Sequence, residues 1–278
     1  MKKYLLLLVL TCVPAFMGST MISCAFETEL PGYKFTNFKD TPAWELAQAV
    51  RDNNGEKVRE IIKSSNHANY KDPKYQMTLL ILAIANKKDK AFLALLEGGA
   101  DSNMICGTKG DVTPLLTAID FEEDCNQFYL ENLVKYKANV NLKVKYLENG
   151  YTKEIVPLLQ VIDATDKEGN ECVQMLKLFA EYGADLNICI NNSPSNRCEG
   201  VIEQCLMGRS IENLKYLIVD KKIPIPDTVS VYGEIDPATM KVFTLREKLN
   251  SEEYVYEDTP QVKKAKKEIL RYLDSIGK

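Results

Sequence analysis

Apolar residues between positions 41 and 226 recur in short blocks with helical spacing, and each block is followed by a polar loop. Residues 77–103 show the pattern most clearly. An apolar run over 79–85 precedes the polar stretch 86–89, and Phe92, Leu95 and Leu96 then follow at the spacing of a second helix. Each block therefore predicts two short helices joined by a tight turn. Such a pair cannot bury its own apolar face, so successive pairs must stack.

The starts and stops of these blocks also repeat. A threonine hydroxyl can cap a helix, and proline fits the first helical position, where its missing N–H is not needed. The expected caps are Thr41, Thr78 and Thr113, and the expected first-position prolines are Pro42, Pro114 and Pro157. Gly99 and Gly183 are expected to end second helices in the left-handed conformation, which costs glycine little.

The loops after the helix pairs share a motif, "EGGADSN" at 97–103 and "EYGADLN" at 181–187. Asp101, Asp185 and the asparagines two places on are expected to bond their own backbone and start a turn. Together with "TPLLTAI" at 113–119, these stretches resemble the ankyrin repeat family. The resemblance covers roughly 41–226 and implies an all-α solenoid of about five stacked helix pairs that binds other proteins without catalysis. Ile81 and Leu116 stand where that family usually has histidine, so apolar packing is expected to join these loops.

Two further elements are predicted beside the repeats. Residues 142–156 alternate apolar and polar around Asn149-Gly150, which predicts a long β-hairpin between the third and fourth repeats. The stretch 259–277 opens with Thr-Pro and closes with glycine, which predicts an amphipathic helix within a C-terminal cap over 227–278. Residues 228–258 show no decisive pattern.

The N-terminal residues differ in composition from the repeats. Residues 1–23 have two lysines, an uncharged apolar run and a small-residue exit, as a secretory signal does. "MISC" at 21–24 resembles a bacterial lipoprotein signal, which implies acylation of Cys24 and a lipid-anchored location in the cell envelope, on the periplasmic or surface face of the outer membrane. Residues 24–40 would then be a spacer between membrane and domain. Ordinary cleavage after Ala25, giving a secreted or periplasmic protein, and an uncleaved membrane anchor over 4–26 are the alternatives.

Composition narrows the function. The chain has 278 residues, 45% of them hydrophobic, and a formal net charge of −4. Loss of the signal removes two lysines and no acid, leaving about −6, which gives no support to nucleic acid as a partner. His67 is the only histidine, so a histidine-based nucleophile or metal site is not expected. No phosphate-binding glycine motif occurs, and no cofactor is expected.

Six cysteines remain after Cys12 and Cys24 are set aside. An oxidising compartment permits disulfides between them. Cys189 and Cys198 flank one loop, which makes them the first candidate pair. Cys125 and Cys172 fall in equivalent turns of adjacent repeats and form the second.

The ankyrin resemblance implies that a partner binds at the hairpin tips and the ends of the first helices. The corresponding positions are Lys109, Asp111, Tyr146 and Tyr151 in the loops, and Asn86, Asp120, Phe121 and Asp163 at first-helix ends. Aromatic side chains dominate interface energies, which favours Phe121 and the two tyrosines. The alternative is that Phe121 packs under its own turn and that the tyrosines only pair across the hairpin.

The leading hypothesis is an envelope-tethered, monomeric interaction module that binds an unknown protein and touches the membrane through its N-terminal lipid. The alternative is an immunity protein, an antitoxin that neutralises a secreted toxin, since an acidic surface suits a basic toxin.

Overall fold

A computed structural model of the chain describes residues 30–108, 110–121, 124–148, 151–190, 199–230, 242–251 and 259–278. Within these ranges, five consecutive helix pairs dominate the fold. The pairs are α1 (Trp44–Arg51) with α2 (Gly55–Ser64), α3 (Leu79–Ala85) with α4 (Asp89–Glu97), α5 (Pro114–Phe121) with α6 (Phe128–Lys135), α7 (Pro157–Ile162) with α8 (Val173–Glu181), and α9 (Val201–Gly208) with α10 (Ile211–Lys215).

The pairs stack in sequence order. The first helices α1, α3, α5, α7 and α9 each contact the next, and the second helices α2 and α4 also contact each other. Every residue of α3 is buried because neighbouring helices cover it, whereas α4 buries only one face. Each fully buried leucine contributes about 1.5–3 kcal/mol relative to exposure. The helix-rich α-solenoid predicted from the repeats is therefore confirmed.

Helix starts follow the prediction in the second, third and fourth pairs. The Oγ1 atoms of Thr78 and Thr113 accept a hydrogen bond from the amide three residues on, at 3.5 and 3.2 Å. Pro114 and Pro157 are the first residues of α5 and α7. The sequence signals used for these starts therefore mark the true ends of the helices.

The predicted start of the first pair is wrong. Helix α1 begins at Trp44, and Thr41 donates its hydroxyl proton to the carbonyl oxygen of Phe38 at 2.6 Å instead of capping the helix. The 3₁₀ turn Phe35–Phe38 that precedes Thr41 places this carbonyl within reach. The helix thus starts beyond Pro42, and Thr41 lies in the turn that precedes it.

The predicted glycine stops are confirmed. Gly99 and Gly183 have φ values of +87° and +80°. The amide of the following alanine then bonds back to the last helical turn, from Ala100 to Leu95 and from Ala184 to Phe179, each at 2.9 Å. An added Cβ at either glycine would meet no atom within 4 Å. Glycine is favoured there by conformation and not by space.

Pairs of short antiparallel strands lie in the connections between helices of the solenoid. Strands β1 (Val144–Glu148) and β2 (Tyr151–Ile155) pair antiparallel in the predicted long hairpin, whose Asn149-Gly150 turn lies outside the described residues. Two smaller antiparallel pairs follow. They are β3 (Cys189–Ile190) with β4 (Glu199–Gly200), and β5 (Val229–Ser230) with β6 (Val242–Phe243).

Helices and turns cover both ends of the stack. Beyond α11 (Leu245–Asn250), the predicted C-terminal helix is α12 (Pro260–Ile276), which packs against α10 and buries Ala265, Ile269 and Leu273. At the other end, 3₁₀ turns at Pro31–Tyr33 and Phe35–Phe38 lie inside the range predicted as a spacer. The side chains of Phe35 and Phe38 are fully buried, so the folded domain begins within that range.

A disulfide links two adjacent repeats. Cys125, in the α5–α6 turn, is bonded to Cys172, in the α7–α8 turn, which confirms the second candidate pair. An ion pair between Lys167 and Asp124, at 2.6 Å, joins the same turns. Cys189 is also disulfide-bonded, but Cys198 lies outside the described residues, so their pairing stays a prediction.

Candidate protein-binding surface

The loops between repeats are joined by asparagine side chains. Asn69 donates from Nδ2 to the carbonyl of Gly99 at 3.2 Å and accepts from the amide of Asp101 at 2.7 Å. The same pair of hydrogen bonds recurs one repeat on, where Asn103 donates to the carbonyl of Lys137 (2.8 Å) and accepts from the amide of Asn139 (2.6 Å). It recurs again where Asn141 donates to the carbonyl of Gly183 (3.0 Å) and accepts from the amide of Asp185 (2.8 Å). We refer to Asn69, Asn103 and Asn141 as the asparagine ladder.

The loops confirm the expectation for the aspartates and correct the one for the asparagines. Asp101 and Asp185 do bond their own loop, each accepting from the amide two residues on. The ladder asparagines instead bond the loop of the next repeat, which the sequence did not predict. Where Ile81 and Leu116 replace histidine, these amide bonds join the loops, so apolar packing alone does not hold them.

The hairpin-loop candidates differ in how much of each the structure describes. Asp111 is engaged within the fold, because its carboxylate accepts from the amide of Lys145 and its own amide donates to the Lys145 carbonyl, both at 2.9 Å. Tyr146 and Tyr151 lie in β1 and β2, where Tyr146 is opposite Lys153 and Tyr151 is opposite Glu148. Their side chains lie outside the described part of the chain, as do Lys109, Cys24 and Cys198.

The candidates at the first-helix ends lie in one row, because α3, α5, α7 and α9 are consecutive neighbours. We refer to Asn86, Asp120, Phe121 and Asp163 as the first-helix row. Asp120 accepts from Nε2 of Gln160 at 2.8 Å, and Asp163 accepts from Nε2 of Gln204 at 2.6 Å. Each glutamine is the fourth residue of the next first helix. These Asp–Gln bridges fix the two carboxylates in a regular array along the stack.

The other two candidates in this row contact the N-terminal segment. Asn86 is buried and donates from Nδ2 to the carbonyl of Tyr33 at 3.0 Å, while also bonding the carbonyl of Leu82. Phe121 is half-buried, and its ring lies 5.0 Å from the Tyr33 ring, centroid to centroid, at an interplanar angle of 56°. Tilted aromatic pairs at this distance are attractive. Phe121 therefore packs against a residue that the sequence did not connect with it.

Tyr33 is half-buried and lies near a negative charge. Burial, and secondarily the Asp120 carboxylate, raise the pKa of the Tyr33 hydroxyl to about 12. Both causes disfavour the phenolate. The first-helix row and the N-terminal segment thus form one local environment, made of Tyr33, Asn86, Asp120 and Phe121.

Sequence reasoning missed Tyr33, Gln160 and Gln204. Alignment of the first helices would have found the glutamines, since both occupy the fourth helical position. Tyr33 lies in "LPGYKF", which has no repeat counterpart and no helical period. Its packing on Phe121 depends on a contact 88 positions along the chain, which local pattern cannot reveal.

The pocket at this surface is small, and a larger one of about 670 Å³ lies away from it beside Asn54, Glu56 and Lys63. The small pocket beside Asp120 and Gln160 holds about 120 Å³, whereas small-molecule sites usually hold roughly 300 Å³ or more. Within the described ranges, no group of three His, Cys, Asp or Glu side chains could hold a metal ion. Nor does any helix found there have the length and apolar character to cross a membrane.

Comparison with known proteins gives a likeness of fold. No family model matches the chain, and no curated protein matches it either. Among solved structures, the ankyrin repeat domain of human ASB11 is similar, at 14% identity over 65% of this chain and 70% of that one, with a TM-score of 0.45. The chain's own helix pairs, left-handed glycine stops and bridged loops define its class, a helical solenoid of stacked helix pairs.

Proposed function

We propose that the protein is a non-enzymatic, monomeric interaction module that binds a protein partner along its first-helix row while a lipid on Cys24 holds it in the cell envelope. The observation that carries the proposal is the row itself. Phe121 offers a half-buried ring, and Asp120 and Asp163 offer carboxylates held by neighbouring glutamines. Aromatic side chains flanked by ordered polar groups are typical of interface centres.

The N-terminal segment brings this row towards the proposed anchor. Leu30 begins the described chain and lies six positions after Cys24. Six residues reach about 20 Å at most. A partner on the first-helix row would therefore bind close to the membrane, which suits a protein that acts in the envelope.

Photo-crosslinking in the native envelope tests the binding surface. We expect p-benzoylphenylalanine at position 121 of the full chain, which retains a phenyl ring, to form a covalent adduct with one partner protein. The control places the same group at Tyr182, which is 44% exposed but ends the second helix α8. Equal adducts at 121 and 182, or none at 121 in any variant of the chain, would refute a partner on this row.

The tether has its own test. Metabolic labelling with an alkyne fatty acid should label the full chain, and Cys24→Ser should abolish the label because the acylated sulfur is removed. Cys12→Ser serves as the matched control, since Cys12 lies in the apolar run that is cut away. Retention of the label in Cys24→Ser would rule out this anchor.

A further inference from the structure

We propose that residues 30–34 are an intramolecular competitor for the first-helix row, so that a partner reaches Phe121 only after displacing Tyr33. The kind of partner that fits is a peptide segment that presents an aromatic side chain beside a free backbone carbonyl. This inference rests on the function proposed above and describes how the same surface is regulated.

Three contacts place the segment on the row. The carbonyl of Tyr33 accepts from Asn86, its ring packs on Phe121, and its hydroxyl lies close enough to the Asp120 carboxylate for the two to interact electrostatically. Asn86, Asp120 and Phe121 are among the partner-binding positions that the ankyrin resemblance implies. The segment therefore contacts two of the four first-helix candidates directly, and Tyr33 lies near a third, Asp120.

The geometry shows what the row recognises. Asn86 supplies an amide donor to a main-chain carbonyl, and Phe121 supplies an aromatic face beside it. A hydrogen bond to the main chain next to an aromatic contact is the usual way in which a groove holds an extended peptide. Tyr33 thus occupies the positions that an incoming aromatic residue would need.

The segment is also built to lift without unfolding the domain. Phe35 and Phe38 are fully buried and anchor the second 3₁₀ turn, whereas Pro31–Tyr33 contains no buried residue. Residues up to Lys34 can therefore separate from the row while the two phenylalanines stay in the core. A segment tethered this closely has a millimolar effective concentration at its site, so it competes well with a partner.

The test compares crosslinks from p-benzoylphenylalanine at position 121 in the full chain, in its native envelope, with and without Tyr33→Ala. In the otherwise wild-type chain, we expect an intramolecular crosslink to residues 30–34. Tyr33→Ala should raise the partner adduct by up to about tenfold if the row is open roughly a tenth of the time. Tyr33→Phe keeps the ring and should behave like wild type. Melting curves of the three chains confirm that each is folded.

Each outcome decides the question. If no crosslink to residues 30–34 forms, the segment does not cover the row and the inference is wrong. If that crosslink forms but Tyr33→Ala leaves the partner adduct unchanged, the segment is only structural, while the proposed binding function stands. If no partner adduct forms even with Tyr33→Ala, both proposals are wrong together.

Discussion

Gly183 shows how much a single residue constrains this fold. Its φ of +80° is reached with open space around the position of a Cβ atom, so a side chain there meets strain but no clash. We predict that Gly183→Val lowers the free energy of unfolding by about 1–3 kcal/mol. Urea denaturation of the purified domain measures the change.

The matched variant at this position is Gly183→Asn. Asparagine tolerates the left-handed conformation better than other side chains do, so it should cost less than valine. Equal losses for asparagine and valine would mean that packing, and not the backbone angle, requires the glycine.

Tyr33 gives a prediction on pH dependence. Its pKa is raised in the folded state from 10.0 to about 12, so the folded state holds this proton more tightly than the unfolded state does. The stability that follows is fully present below pH 10 and is lost as the pH rises towards 12. The stability of wild type relative to Tyr33→Phe should be constant below pH 10 and then decline. A difference that stays flat up to pH 12 would show that Tyr33 is exposed.

At the scale of elements, the sequence predicts well what adjacent residues decide. Thr78 and Thr113 cap helices as expected. Thr41 does not: its hydroxyl donates to the Phe38 carbonyl, and α1 begins three residues later, at Trp44. The starts of the second and third helix pairs follow from local sequence, whereas the start of the first pair depends on a preceding segment that has no repeat pattern.

The contacts of the candidate site are harder to predict because they join distant parts of the chain. The bonds of the asparagine ladder span 30 to 44 positions. From sequence, an asparagine that bonds its own loop and one that bonds the next loop look the same. Tyr33 and Phe121 are separated by still more positions in the sequence, so only the stacked arrangement reveals that they pack together.

The disulfide between adjacent turns should contribute measurably to stability. Cys125 and Cys172 are 47 positions apart, and closing a loop of this size stabilises by about 2–4 kcal/mol. We predict that the double variant Cys125→Ser/Cys172→Ser loses this amount in chemical denaturation. Lys167→Ala is the control, because it removes the exposed ion pair to Asp124 and leaves the disulfide in place, so it should change stability by less than about 1 kcal/mol. A double variant as stable as wild type would show that the bond constrains nothing.

At the scale of the whole molecule, each repeat depends on its neighbour. The first helices contact one another in order, α3 is buried along its whole length, and each ladder asparagine satisfies the loop of the next repeat. Stability is then a sum of contacts between adjacent repeats. The first-helix row exists only because this stacking lines up the ends of α3, α5 and α7.

Stacking of the repeats in register holds the molecule together, and variants of the asparagine ladder test this most directly. The measurement is the free energy of unfolding of Asn69→Ala, Asn103→Ala, Asn141→Ala and Asn187→Ala, determined side by side. Asn187 occupies the same loop position but makes no bond to a following loop within the described residues. Stacking predicts losses of about 1–3 kcal/mol at the first three positions and within about 0.5 kcal/mol at Asn187. Four equal losses, or none, would contradict it.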